Sequence, residues 1–150
     1  MSQSLTNLLI HIIFSTKDRV LLIKQDIEGQ LHSYMAEVFK SYDSHAIIIG
    51  GTENHIHTLC SLSKKIPLSK VIEEVKKSSS KWIKTKDSEY GRFYWQNGYG
   101  AFSIGHSMKE STMQYIRNQK EHHKNKTFQE EFLMFLNKYH IQYDERYIWD

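Results

Sequence analysis

The chain has 150 residues, 39% of them hydrophobic and 25% charged, with one Pro and seven Gly; these are globular values that exclude a disordered chain and suit one domain with a real core. A formal charge of +3 and a pI near 8.8 permit a polyanionic partner without requiring one. The longest apolar run, Leu8 to Phe14, falls far short of a membrane span and follows no basic segment, so no membrane association is expected and the location is cytoplasmic by default. The single Cys60 excludes an intramolecular disulfide and reads as a buried, inert thiol.

In chain order, residues 8–15 read as a strand buried on both faces, ended by Lys17-Asp18-Arg19. Ile27, Leu31, Tyr34, Met35 and Val38 recur at helical spacing and predict a helix over residues 24–41. The Ile-rich stretch 45–49 comes next, closed by a turn at Gly50-Gly51. Residues 54–62 form its antiparallel partner, with His55, His57 and Leu59 on one face and Ile56, Thr58, Cys60 and Leu62 on the other. Pro67 introduces a second helix, ending near Lys86, whose inner stripe is Leu68, Val71, Ile72, Val75, Ser79, Trp82 and Ile83. A last strand region covers residues 93–104, where Asn97-Gly98 and Gly100 mark a bulge or close backbone approach.

Ser107-Met108-Lys109-Glu110 has the form of a capping box and opens a third helix from Met108 to about His123. Thr127-Phe128-Gln129-Glu130 repeats the device for a short helix with Phe128, Phe132, Phe135, Leu136 and Tyr139 on its apolar side. The order β-α-β-β-α-β is that of an α+β, ferredoxin-like or RRM-like antiparallel sheet, here with an added Tyr-bearing helix and a C-terminal helix. We divide the chain into a catalytic domain over residues 1–126 and a helical extension of the same domain over residues 127–150. Such folds host many functions, so function must come from the site.

Strand alternation aims His55 and His57 at one face, where two imidazoles can hold one metal ion while Ile56 anchors the strand in the core. With nine His in the chain, about 0.5 such pairs arise by chance, so support must come from elsewhere. On the third helix Tyr115 and Gln119 are four residues apart and share a face. Lysines from Lys64 to Lys86, and Arg117, Lys120, Lys124 and Lys126, cluster near the aromatic residues Tyr94, Trp95 and Tyr99. That mixture suits single-stranded nucleic acid, with cations on phosphates and rings on bases; a solvated lysine face is the other reading. His11 reads as a satisfied core histidine, and His122-His123 as a cap of the helix C-terminus.

Four ordered stretches carry a resemblance: Phe14-Ser15-Thr16-Lys17-Asp18-Arg19, Asn54-His55-Ile56-His57, Trp95-Gln96-Asn97-Gly98-Tyr99-Gly100-Ala101-Phe102-Ser103, and Tyr115-Ile116-Arg117-Asn118-Gln119. Together they resemble the HUH single-strand tyrosine transposases of insertion sequences that move as single-stranded DNA, over nearly the whole chain. The run from Thr127 to Asp150 also looks like tails of that family. The resemblance implies that His55, His57 and Gln119 bind a divalent metal, Mg²⁺ or Mn²⁺, and that Tyr115 is the nucleophile, forming a 5′-phosphotyrosine and releasing a 3′-hydroxyl. It further implies single-stranded DNA as partner, with hairpins at element ends, and a homodimer whose Tyr helices complete each other's His pairs in trans. The sequence leaves cis and trans open. Lys17, Arg19, Arg117 and Lys120 are the candidates for phosphate contact.

Two rival readings stand beside this one. A non-catalytic ferredoxin-like module for single-stranded nucleic acid would carry stacking aromatic residues on its central strands, where this chain has His55, His57 and Leu59. A small metal-dependent hydrolase would not need Tyr115.

Overall fold

Leu9–Ser15 forms β1, and six of its seven residues are buried, as a strand covered on both faces must be. The structure, a computed structural model, describes residues 2–150. After β1 come α1 (Gln25–Ser41), β2 (His45–Thr52), β3 (His55–Ser61), α2 (Leu68–Ile83) and β4 (Gly100–Ile104). Three further helices follow: α3 (Lys109–Arg117), α4 (Gln119–His122) and α5 (Phe128–Lys138). The sheet order is β2-β3-β1-β4 with every neighbouring pair antiparallel, which is the ferredoxin-like arrangement predicted from the element order.

Alternation along β1 and β3 divides the interior in two. On one face Ile12, Phe14, Ile56 and Cys60 pack against Leu31, Met35, Val71 and Val75 of α1 and α2. On the other, Ile13 and Phe102 meet Phe128, Phe132, Phe135 and Leu136 of α5, while Leu9 and Leu59 meet Ile116 of α3. Burial pushes the Cys60 thiol up to about 12, which leaves it protonated and inert.

Four local expectations change. Gly50 and Gly51 lie within β2, and the turn is made by Glu53 and Asn54 instead. The glycines serve close approach: a Cβ on Gly50 would stand 2.6 Å from the Ile116 carbonyl oxygen, and Gly51 has a φ of +155° beside the His55 carbonyl. β4 is confined to residues 100–104, because the carbonyls of Gln96, Asn97 and Gly98 accept from the Lys76 ammonium at 2.8, 3.3 and 2.6 Å rather than joining a ladder. That ammonium is desolvated, which lowers its pKa to about 8.

The predicted third helix is broken at Asn118 (φ −95°, ψ 20°) into α3 and α4. Its predicted capping box is not formed, since Ser107 lies in a short 3-10 turn and Met108 occupies the cap. The second box is formed: the Thr127 hydroxyl accepts from Glu130 N, and the Glu130 carboxylate accepts from Thr127 N. Beyond α5 the chain end crosses back, where Gly98 N donates to the Asp150 carbonyl at 2.9 Å. Among the described residues, no helix is long and apolar enough to cross a membrane.

Because α3 rests on the bare backbone of Gly50, Gly50→Ala should cost about 1–3 kcal/mol of stability in urea unfolding through overpacking. Gly29→Ala, on open helix surface with nothing within 4 Å of the added Cβ, should be neutral or slightly stabilising. Equal effects of the two changes would contradict the close approach.

Candidate active site

β3 places His55 and His57 on the face covered by α3, α4 and α5, and both are fully buried. The His55 Nδ1 lies 2.9 Å from the Asn54 side-chain oxygen and 2.9 Å from the Thr52 hydroxyl. The Asn54 amide nitrogen donates to the Arg19 carbonyl, so its oxygen, which can only accept, is the atom facing the imidazole. These partners assign the proton of neutral His55 to Nδ1 and leave a lone pair on Nε2.

That lone pair faces the Gln119 Oε1 at 2.9 Å. The Gln119 Nε2 donates to Glu131 at 3.0 Å, which fixes the amide orientation. With the proton on Nδ1 two acceptors meet without a proton between them, and the other neutral tautomer only moves that conflict to Nδ1 and the Asn54 oxygen. Burial, reinforced by His57, opposes a charge on His55 and lowers its pKa to about 3. A cation between the two atoms would satisfy both.

His57 is held at each ring nitrogen, with His11 Nε2 2.8 Å from its Nδ1 and Glu131 Oε1 2.8 Å from its Nε2. Neutral His11 can donate or accept, so it can support either tautomer of His57. Glu131 comes from α5 and is fully buried. Its carboxylate accepts from His57, from His123 at 3.1 Å, from Gln119 and from the Tyr115 hydroxyl. Burial alone would raise its pKa, but the hydrogen bonds from His123 and His57 hold it well below the usual carboxylate range.

Tyr115, on α3, stacks on His122 with ring centroids 4.4 Å apart and meets His57 and Phe135 edge-on. Its phenol is pushed well above its ordinary value by burial and by the adjoining Glu131 carboxylate. Donor atoms of His55, His57, His123 and Glu131 all lie within 4.8 Å of one another, a grouping that could hold a metal ion. The buried His55 lone pair, with further imidazoles and oxygen donors around it, fits a divalent cation.

A family model described as "Transposase IS200 like" matches residues 4–119, more than three quarters of the chain. The chain belongs to the IS200-like transposase family. A candidate transposase from Deinococcus radiodurans has a similar fold at 16% identity and a TM-score of 0.62, over 79% of this chain and 98% of that one. So does a REP-associated tyrosine transposase bound to a REP hairpin, at 14% identity and 0.62, over 82% and 74% of the two chains. No curated protein matches significantly. Membership makes the chain a protein of DNA transposition, in a family whose enzymes cleave DNA.

The fold brings His55, His57, Tyr115 and Gln119 together within one chain. The four candidate phosphate contacts are not gathered in the same way. Arg19 and Lys120 line an open groove of about 880 Å³ beside His123, with Lys124, Lys126 and the acidic Glu28, Glu53 and Glu130. There Lys120 pairs with Glu28 at 2.9 Å, and Arg19 donates to the Trp149 carbonyl at 3.0 Å. Lys17 and Arg117 are exposed and do not line the groove.

Three site residues escaped the sequence reading. Glu131 carried a usable signal, a lone carboxylate at helical spacing within the apolar stripe Phe128, Phe132, Phe135. His11 is satisfied, as expected of a core histidine, but its partner is His57. His123 is the C-cap of α4 and His122 lies in its last turn, as expected, but His123 also bonds Glu131 and His122 also stacks on Tyr115.

Acid stability follows from His55. Unfolded histidine takes up a proton near 6.5 while folded His55 waits until about 3, so the unfolded state binds more protons between those values. Stability should fall as pH drops through that window, by about 1.4 kcal/mol per unit from this group. Glu131, depressed in the folded state, adds a loss below the ordinary carboxylate pKa. Urea midpoints should decline steadily from about pH 7 to about pH 4; a flat profile would contradict a buried neutral His55.

Proposed function

We propose that this transposase cleaves and rejoins single-stranded DNA through a 5′-phosphotyrosine on Tyr115, with Mg²⁺ or Mn²⁺ held by His55, His57 and Gln119. The observation that carries the reading is the pair of facing buried acceptors, His55 Nε2 and Gln119 Oε1, in the same network as the Tyr115 hydroxyl. A cation bound there would polarise a scissile phosphate and offset its developing charge.

The protein residues supply the remaining steps. Tyr115 Oη attacks phosphorus, its O–H bond breaks as the O–P bond forms, and the bond to the 3′-oxygen breaks, with that oxygen taking a proton as it leaves. A 3′-hydroxyl of another strand reverses the sequence and completes transfer, since the phosphotyrosine is itself a phosphodiester. Glu131 lies against the phenol and orients it. His55, His57, Gln119 and Glu131 are closed to solvent in this conformation, and His123 is the partly exposed member of the group. A strand that reaches these four residues requires the segments covering them to rearrange.

The substrate we propose is hairpin-bearing single-stranded DNA at element ends, in line with the hairpin bound to the REP-associated relative. Lys17, Arg19, Arg117 and Lys120 are the proposed phosphate contacts. Residues 127–150 belong in this reading to the catalytic domain begun by residues 1–126, because α5 supplies Glu131 and half of one core. A homodimer remains the proposed assembly, with β4 as a free sheet edge. Each protomer here carries a full residue set in cis, and active sites in trans would require α3 to leave Gly50 and Glu131.

Incubation with labelled hairpin DNA and Mn²⁺ should give a denaturation-resistant protein–DNA adduct that disappears in Tyr115→Phe. Cleavage that survives the change would contradict Tyr115 as nucleophile. Binding without cleavage by the unaltered protein would favour a non-catalytic nucleic-acid module.

A further inference from the structure

We infer that Glu131 is itself a ligand of the metal, turning a neutral site of two imidazoles and an amide into one with an anionic oxygen; the inference rests on the metal reading above. Three observations converge on it.

The first is placement. Glu131 stands on the apolar stripe of α5, between Phe128, Phe132 and Phe135, and is fully buried. A carboxylate in such a stripe is costly unless strongly compensated, and a Leu there would pack without that cost. Its compensation comes wholly from the residues of the site: His57, His123, Gln119 and Tyr115.

The second is spacing. Glu131 Oε1 lies 2.8 Å from His57 Nε2 and 3.8 Å from His55 Nε2, and His55 Nε2 lies 2.9 Å from Gln119 Oε1. Ligands about 2.1 Å from a small divalent cation and at right angles to each other lie about 3 Å apart. The 2.8 and 2.9 Å separations match neighbouring ligands of one ion, and 3.8 Å is still within the span of two ligands of the same ion. The acceptor conflict of His55 Nε2 is with Gln119 Oε1, and the carboxylate stands 3.8 Å away on the same side, near enough to share an ion placed there.

The third is charge. His55, His57 and Gln119 bring no charge to offset a divalent ion in a buried site, and Mg²⁺ and Mn²⁺ favour oxygen donors. Glu131 supplies both the charge and the oxygen. Its second oxygen accepts from Gln119 Nε2 and from the Tyr115 hydroxyl. One carboxylate therefore ties the coordination shell to the nucleophile. His123, donating to Oε1, positions the carboxylate.

The test is Mn²⁺ binding by the full chain without DNA, followed by calorimetry and by the Mn²⁺ electron paramagnetic resonance signal. Glu131→Gln keeps the shape and removes the charge, and should weaken Mn²⁺ binding by about 10–100-fold or more, as should His55→Ala. Weak binding in His55→Ala with unchanged binding in Glu131→Gln would overturn the inference and leave the metal reading intact. Unchanged binding in both would remove the metal reading itself. Tighter Mn²⁺ and DNA binding in Glu131→Gln would show that the carboxylate competes for the site, which also overturns the inference. Should Glu131→Gln fail to fold, Glu131→Asp carries the test, because a carboxylate withdrawn by one methylene should bind Mn²⁺ more weakly and an unchanged affinity would count against ligation.

Discussion

The Glu131 carboxylate is the interaction on which the rest of this structure depends. It gathers hydrogen bonds from β3 through His57, from α3 through Tyr115, from α4 through Gln119, and from the residue after α4 through His123. Burial makes those bonds strong and makes the loss of any partner expensive, since each would leave a polar group without water or a substitute. The network therefore sets the relative positions of three helices on one sheet face. It is at once a structural centre and the place where the proposed nucleophile and metal ligands converge.

The surrounding fold makes that convergence possible. β1 and β3 lie in the middle of the sheet, so His11 and His57 reach the same face from adjacent strands, in a register that pairs Ile13 with His57. The bare backbone of Gly50 lets α3 descend onto β2, and the break at Asn118 redirects the chain so that Gln119 turns inward. The Phe128, Phe132 and Phe135 rings then seal the centre, which lowers the local dielectric and keeps His55 neutral. Neutral imidazoles are the form that a metal requires.

The sheet topology was legible from periodicity because both cores are built on simple alternation and on one helical stripe per helix. The shared face of His55 and His57 on β3 was equally legible, since a two-residue period admits no other placement of the pair. Where the reading fell short, a long-range contact outweighed a local signal. Lys76 draws the carbonyls of residues 96–98 away from the predicted strand, and the capping signal at Ser107 is outweighed by a 3-10 turn. Glu131, His11 and His123 join the site across distances in sequence that no spacing rule spans. Only the misplaced carboxylate in the α5 stripe signalled that something polar lay opposite. The phosphate-contact candidates were the least legible, because exposed cations follow no period and Arg19 is engaged by the chain end.

The central claim is that the buried acceptors beside Tyr115 form a metal site. Crystals grown with Mn²⁺ and measured for anomalous scattering test it most directly. The account predicts a single strong peak between His55 Nε2, His57 Nε2 and Gln119 Oε1, within ligand distance of Glu131. A saturating Mn²⁺ concentration that leaves this position without a peak, while the protein still forms its covalent DNA adduct, would contradict it.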